Sequence, residues 1–140
     1  MIFLAQTDTT AGFLSKNANE INKIKNRQLD KLCVITTSKF KILTELTRVP
    51  NKFKNRIRKS KKTTFLYPSL KAIRVIKDNR HSNFLDLHGW MFSSSANLHE
   101  KPFDEVWARS VADVIIDEKF QNNNPSKILK VSNSNIKRLR

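Results

Sequence analysis

Short apolar runs alternate along this chain with amphipathic stretches, and no segment repeats another. Ile2 to Ala5, Leu32 to Thr36, Thr63 to Tyr67, Ala72 to Ile76 and Trp90 to Phe92 are too short for stable helices and read as strands. Between them, Ala18, Ile21 and Ile24 share one face of a helix that Ser15 can cap. Phe40, Leu43 and Leu46 share a face of a second helix, which starts at Ser38 and is barred from continuing by Pro50. Asn83 to His88, terminated by Gly89, and Asp104 to Ser110 read as further helices. Asp113 to Ile116, Ile128 to Val131 and Ile136 to Leu139 read as strands, with a polar loop over Gln121 to Asn124. This alternation favours an α/β or α+β fold.

The 140 residues suit one domain over positions 1–140, long enough to bury a core without staples. Two glycines and four prolines exclude collagen-like and low-complexity classes. Lysine and arginine number 27 against 12 acidic residues, and the resulting charge of +15 attracts polyanions, whether RNA, nucleotides or acidic membranes. A lone cysteine, Cys33, rules out an internal disulfide and a multi-cysteine metal site, and reads as a core residue on a strand. The start, Met1 to Ala5, is short for a secretion signal, and no apolar run approaches the ~20 residues of a membrane span. A cytoplasmic protein with no membrane partner is expected.

Several segments carry polar groups suited to a ligand. Gln6-Thr7-Asp8-Thr9-Thr10-Ala11-Gly12 follows the first strand, where α/β folds collect ligands, although by itself the segment reads first as an N-cap and turn network. Lys23, Lys25 and Arg27 end the first helix, either as a solvated basic face or as a phosphate clamp in which Arg27 binds bidentately and Lys25 acts as a point charge. Ser93-Ser94-Ser95-Ala96-Asn97 reads as a loop able to offer hydroxyl, amide and backbone groups to phosphate or ribose. Asn51 to Lys62 holds seven basic residues interrupted only by Phe53 and Ile57 among apolar types, and reads as the most exposed segment. His81, His88 and His99 lack metal-ligand spacing, so no metal site is expected, and no Gly-x-Ser-x-Gly elbow supports a Ser-His-Asp triad.

In their order, these segments resemble the YrdC/Sua5 family, which includes YciO and YwlC and contains threonylcarbamoyl-AMP synthases. Gln6 to Phe13 is similar to the family's Pro-Thr-Asp-Thr-Val-Tyr-Gly-Leu, and Ile24 to Gln28 to its Ile-Lys-Gly-Arg-Pro. Ala72-Ile73-Arg74-Val75 is similar to Ala-Val-Arg-Val, Ser93 to Asn97 to Ser-Thr-Ser-Ala-Asn, and Asn124 to Ile128 to the segment with Pro-Ser-Thr-Ile. The resemblance implies a single YrdC-like domain, shortened at its N-terminus, with an open, twisted, mixed and largely antiparallel sheet and packed helices. It implies synthesis of L-threonylcarbamoyladenylate for the threonylcarbamoyladenosine (t6A) modification of tRNA, from ATP with Mg²⁺, L-threonine and bicarbonate. By position it assigns catalytic roles to Lys25 and Arg27, substrate binding to Thr9 and Lys31, and nucleotide binding to Arg74, Ser93, Ser95, Asn97 and Ser126.

Gln6 replaces the motif's first Pro, Asn26-Arg27-Gln28 replaces Gly-Arg-Pro, Leu32 stands where Pro is expected after Lys31, and His99-Glu100 replaces the Ser-Gly that follows Ala-Asn. These departures leave a second reading open: a catalytically degenerate member that binds nucleotide, tRNA or double-stranded RNA. Arg56, Arg58, Lys59, Lys61 and Lys62 would then make the RNA contacts. Other tRNA-modification proteins are further expected partners.

Overall fold

The computed structural model describes residues 1–77, 80–116 and 119–140. In chain order its elements are β1 (Phe3–Gln6), β2 (Ala11–Ser15), α1 (Ala18–Ile24), β3 (Val34–Thr37), α2 (Phe40–Leu46), α3 (Lys54–Lys59), β4 (Thr63–Leu66), β5 (Ala72–Val75), α4 (Arg80–His88), β6 (Trp90–Ser95), α5 (Glu105–Val111), β7 (Val114–Ile115), β8 (Lys127–Val131) and β9 (Ile136–Arg138). The fold is mixed α/β, with parallel and antiparallel strand pairs. Two compact units divide it, Met1–Cys33 with Met91–Asn124, and Val34–Trp90 with Pro125–Arg140.

In the first unit the strands run β7-β1-β2-β6. β1 and β6 pair with β2 antiparallel, and β7 pairs with β1 in parallel. Ile2, Leu4, Phe13, Ile21 and Ala108 are buried together, with Trp107 of α5 edge-on to Phe13 at 5.7 Å between ring centres. Every residue of β2 is buried, so its sequence carries no polar alternation. That is why the loop expected over Thr7 to Gly12 ends earlier, with Ala11 and Gly12 already in β2. Asn17, not Ser15, caps α1, accepting from the Asn19 N–H at 2.9 Å. Ser15 closes β2 and donates to Glu20 at 2.6 Å. Asp104 caps α5 through the Trp107 N–H at 3.2 Å.

The second unit orders its strands β3-β5-β4-β8-β9. β3 lies parallel to β5 and β4 parallel to β8, while β4–β5 and β8–β9 are antiparallel. Leu43, Ile57, Phe65, Ile73, Leu85 and Val131 are buried here. Gly89 adopts φ +79°, a left-handed conformation that suits glycine; its N–H closes α4 on the Leu85 carbonyl at 2.8 Å. The basic run folds in part, since Asn51–Phe53 makes a 3₁₀ turn leading into α3, whose Ile57 is buried. Among the described residues no helix is long and apolar enough to cross a membrane.

Candidate anion-binding site

The Thr-Asp-Thr-Thr segment is the turn of the β1–β2 hairpin, opened and closed by the facing pair Gln6 and Ala11. Its hydroxyls mostly serve the turn itself. Thr7 Oγ1 donates to the Thr10 carbonyl at 2.7 Å and accepts from the Thr9 and Thr10 N–H groups at 3.2 Å, with Thr9 Oγ1 also 3.2 Å away. Residue 12 must be glycine for a packing reason. A Cβ there would lie 2.8 Å from Thr7 Cγ2 and 3.3 Å from the Ser94 carbonyl oxygen.

Lys25 sits at the C-terminal end of α1, where an extended side chain reaches β6. Only 2% exposed, it donates through Nζ to the Ser95 carbonyl, to Ser95 Oγ at 3.3 Å and to Asn97 Oδ1 at 3.4 Å. Burial first, and then the neighbouring Arg27 charge, lower its pKa to about 8, with Cys33 acting in the opposite sense. Arg27 donates from Nε to Asn22 Oδ1 at 2.6 Å and from Nη2 to Ser94 Oγ at 3.1 Å and Cys33 Sγ at 3.4 Å. Cys33 is buried just before β3, not on a strand, and burial raises its thiol pKa.

The serines expected in a loop belong to β6, and only Ala96 and Asn97 lie beyond it. The hairpin explains this: β6 pairs with β2 through Gly12 opposite Ser95 and Phe13 opposite Ser94. Small polar residues occupy a strand because the strand presents them to α1's basic end. Alternation along β6 sets Ser94 apart from its two neighbours: Ser94 meets Arg27, Ser95 meets Lys25, and Ser93 is buried with its Oγ 3.6 Å from where a Gly12 Cβ would stand.

Sequence reasoning passed over Asn22, the residue that fixes this arrangement. Wholly buried, it donates to the Leu29 and Lys31 carbonyls at 3.0 and 2.9 Å while holding Arg27. A polar residue beside Ile21 on an otherwise apolar helix face was the available signal. Asn26 adopts φ +56° and Glu100 φ +62°. Both stand where the resembled motifs carry glycine, so the left-handed backbone those glycines permit is kept without them, readily for Asn and at greater steric cost for Glu.

Two clefts open in this unit. One, of about 410 Å³, is lined by Asn26, Arg27, Gln28, Lys31 and His99. The other, of about 430 Å³, is lined by residues including Thr10, Ser95, Asn97 and Lys101, with Phe103 and Phe120 forming its apolar wall. From the hairpin turn, Thr10 belongs to that lining.

The remaining expected nucleotide residues, Arg74 and Ser126, meet in the second unit. Arg74 Nη1 donates to Thr64 Oγ1 at 3.2 Å and Ser126 Oγ at 3.4 Å, and Thr64 and Ser126 share a bond of 3.0 Å. Arg140 donates to the Ser126 carbonyl at 2.9 and 3.1 Å, a contact the sequence did not suggest. On and after α3, Arg56, Arg58, Lys59 and Lys61 are exposed and Lys62 half-buried, and the Arg58 guanidinium lies over the Phe40 ring at 4.7 Å. Among the described residues no group of three or more His, Cys, Asp or Glu side chains is placed to hold a metal ion.

No protein-family model and no curated protein sequence matches the chain. Solved structures do. P. abyssi Sua5 complexed with L-threonine superposes with a TM-score of 0.80 at 17% identity, over 99% of this chain and 49% of that one. The fold is Sua5-like. This chain therefore spans about half the length of Sua5. MTH1692 from Methanobacterium thermoautotrophicum matches at TM-score 0.65 and 17% identity, over 92% of this chain and 74% of its own. HypF in its phosphate- and nucleotide-bound form matches at TM-score 0.70 and 11% identity, over 92% of this chain and 25% of its own. At such identities the likeness to Sua5 is one of fold.

Proposed function

We propose that the chain is an L-threonylcarbamoyladenylate synthase-like domain of tRNA threonylcarbamoyladenosine modification, binding ATP, L-threonine and bicarbonate. The observation that carries this reading is the buried Lys25, held by Ser95 and Asn97 with Arg27 on Ser94, in a fold it shares with Sua5. In the reaction, the threonine amine and bicarbonate form a carbamate with loss of water. A carbamate oxygen then attacks the α-phosphorus of ATP, and the bond to pyrophosphate breaks. Negative charge gathers on the carbamate and the transferring phosphoryl group, and Lys25 and Arg27 are pre-positioned cations that would stabilise it. Arg74 and Ser126 are assigned to the nucleotide. Mg²⁺ would enter with the ATP phosphates rather than in a protein cage, its usual mode at nucleotide sites.

Pyrophosphate release from purified protein should depend on both threonine and bicarbonate, and Lys25→Ala should lower the rate by about 10²-fold or more, the scale for losing one charge-stabilising donor. Release that ignores either substrate, or survives Lys25→Ala undiminished, would rule the reading out. A second reading has its own support. The exposed Arg56, Lys59 and Lys61 and the charge of +15 favour a catalytically silent domain that binds RNA or nucleotide.

A further inference from the structure

In the second unit the sheet has an open edge, because β9 pairs with β8 on one side and with no strand on the other. The Ser132 N–H bonds the Asn135 carbonyl at 2.8 Å, and the Leu139 N–H bonds the Ile128 carbonyl at 2.8 Å. Backbone groups alternate in direction along an antiparallel strand, so Asn135, Lys137 and Leu139 face β8 while Ile136 and Arg138 turn their N–H and C=O groups outward. Such a row is a template for one more strand. It is also held at both ends. Lys52 Nζ donates to the Ser134 carbonyl at 3.2 Å, and the Ile128 N–H bonds the Arg140 carbonyl at 3.0 Å. An incoming strand therefore meets an edge already formed, and little of it remains to be ordered on binding.

The charges on this edge share one sign. Lys127, Lys130, Lys137, Arg138 and Arg140 are all exposed, and no acidic residue lies between Ser126 and Arg140. Lys130 stands directly opposite Lys137, a like-charge pair that costs stability. The unit's described acidic residues, Glu45 and Asp86, belong instead to α2 and α4. On the other face of the strand pair, half-buried Ile136 opposes buried Val131. Three occupants can be compared on these facts. A second copy of β9 would set basic residues against basic residues, which is how lysines protect an edge from self-pairing. A phosphate backbone offers acceptors alone and leaves the outward carbonyls of Ile136 and Arg138 unmatched. An extended peptide brings both N–H and C=O groups. Acidic side chains at its alternate positions would continue the Lys130–Lys137 row with the opposite charge, and the residues between them would lie beside Ile136.

We infer that β9 is a docking edge for an extended acidic segment of a protein partner, which adds to the sheet as a further strand with acidic side chains at alternate positions. The surface lies wholly in the second unit, and the inference does not depend on the synthase reading.

Titration of the full chain with a synthetic peptide alternating Glu and Val, followed by amide hydrogen exchange, tests the assignment. Binding is expected to slow exchange at the outward amides of Ile136 and Arg138 and to change little at Lys137, whose N–H faces β8. Lys137→Glu should weaken the peptide about fivefold, as one cross-strand pair turns from attraction to repulsion. Lys41→Glu on α2 makes the same change in net charge and should leave affinity nearly as it was. Failure of the peptide to bind would overturn the inference. Equal losses in the two variants, or binding that protects neither amide, would also overturn it, since both describe charge attraction without strand addition. Duplex RNA that protects the two amides where the peptide does not would give the edge to nucleic acid instead.

Discussion

Lys25 is a cation kept almost wholly from water, and its protonation is the residue-scale property most open to measurement. Its pKa falls from 10.5 to about 8, chiefly through burial. Between those values the folded chain has released a proton that the unfolded chain still holds, so stability contributed at this position rises with pH through the window. Below about pH 8 both states are protonated, and the cost of burying the charge is borne in full. Lys25→Met removes the titration. Denaturant unfolding of both proteins below pH ~8 and near pH ~10 should show the wild type gaining on the variant as pH rises. A constant difference would mean that Nζ is solvated. The site's charged residues were legible in the sequence because Lys25 and Arg27 are tied to a motif. Asn22 was not, because what matters about it is its burial, with Nδ2 donating to the Leu29 and Lys31 carbonyls and Oδ1 accepting from Arg27.

At the scale of elements, strands at the edges of apolar runs were easy to read and β2 was not. A strand buried along its whole length and containing a glycine lacks both the alternation and the propensity that mark strands. The extension of β6 through Ser95 was hidden for a related reason: serine runs favour loops locally, and only pairing with β2 holds them extended. α3 was masked by its charge, since Ile57 is the only residue of the six that is buried. Gly12 joins hairpin to β6, and Gly12→Ala should cost about 1–3 kcal/mol, the usual penalty for overpacking, measured by thermal or denaturant unfolding. The cause is separable. Thr7→Ser keeps the Oγ1 bonds and removes the Cγ2 atom that stands 2.8 Å from the new methyl, so the double variant Thr7→Ser/Gly12→Ala should recover most of the loss. If it recovers none, the clash that matters is with the Ser94 carbonyl at 3.3 Å, and β6 itself has been displaced.

For the whole molecule, charge decides between the two functional readings. A protein of net charge +15 binds any polyanion to some degree, so affinity for RNA alone says little; its dependence on salt and on particular residues says more. Arg56 and Arg58 both belong to α3, yet their situations differ. Both are exposed, but the Arg58 guanidinium already lies over Phe40 and bonds Asn55 at 3.4 Å. If the basic helix tracks a phosphate backbone, log affinity for duplex RNA should fall linearly with log salt, and Arg56→Glu should make that slope shallower by about one unit. Arg58→Glu should do less to the slope and more to stability, because it gives up a cation–π contact worth about 0.5–1 kcal/mol. Equal slopes in wild type and Arg56→Glu would reduce the run to solvated surface. The silent-domain reading would then lose its most specific support, and the pyrophosphate assay would carry the decision.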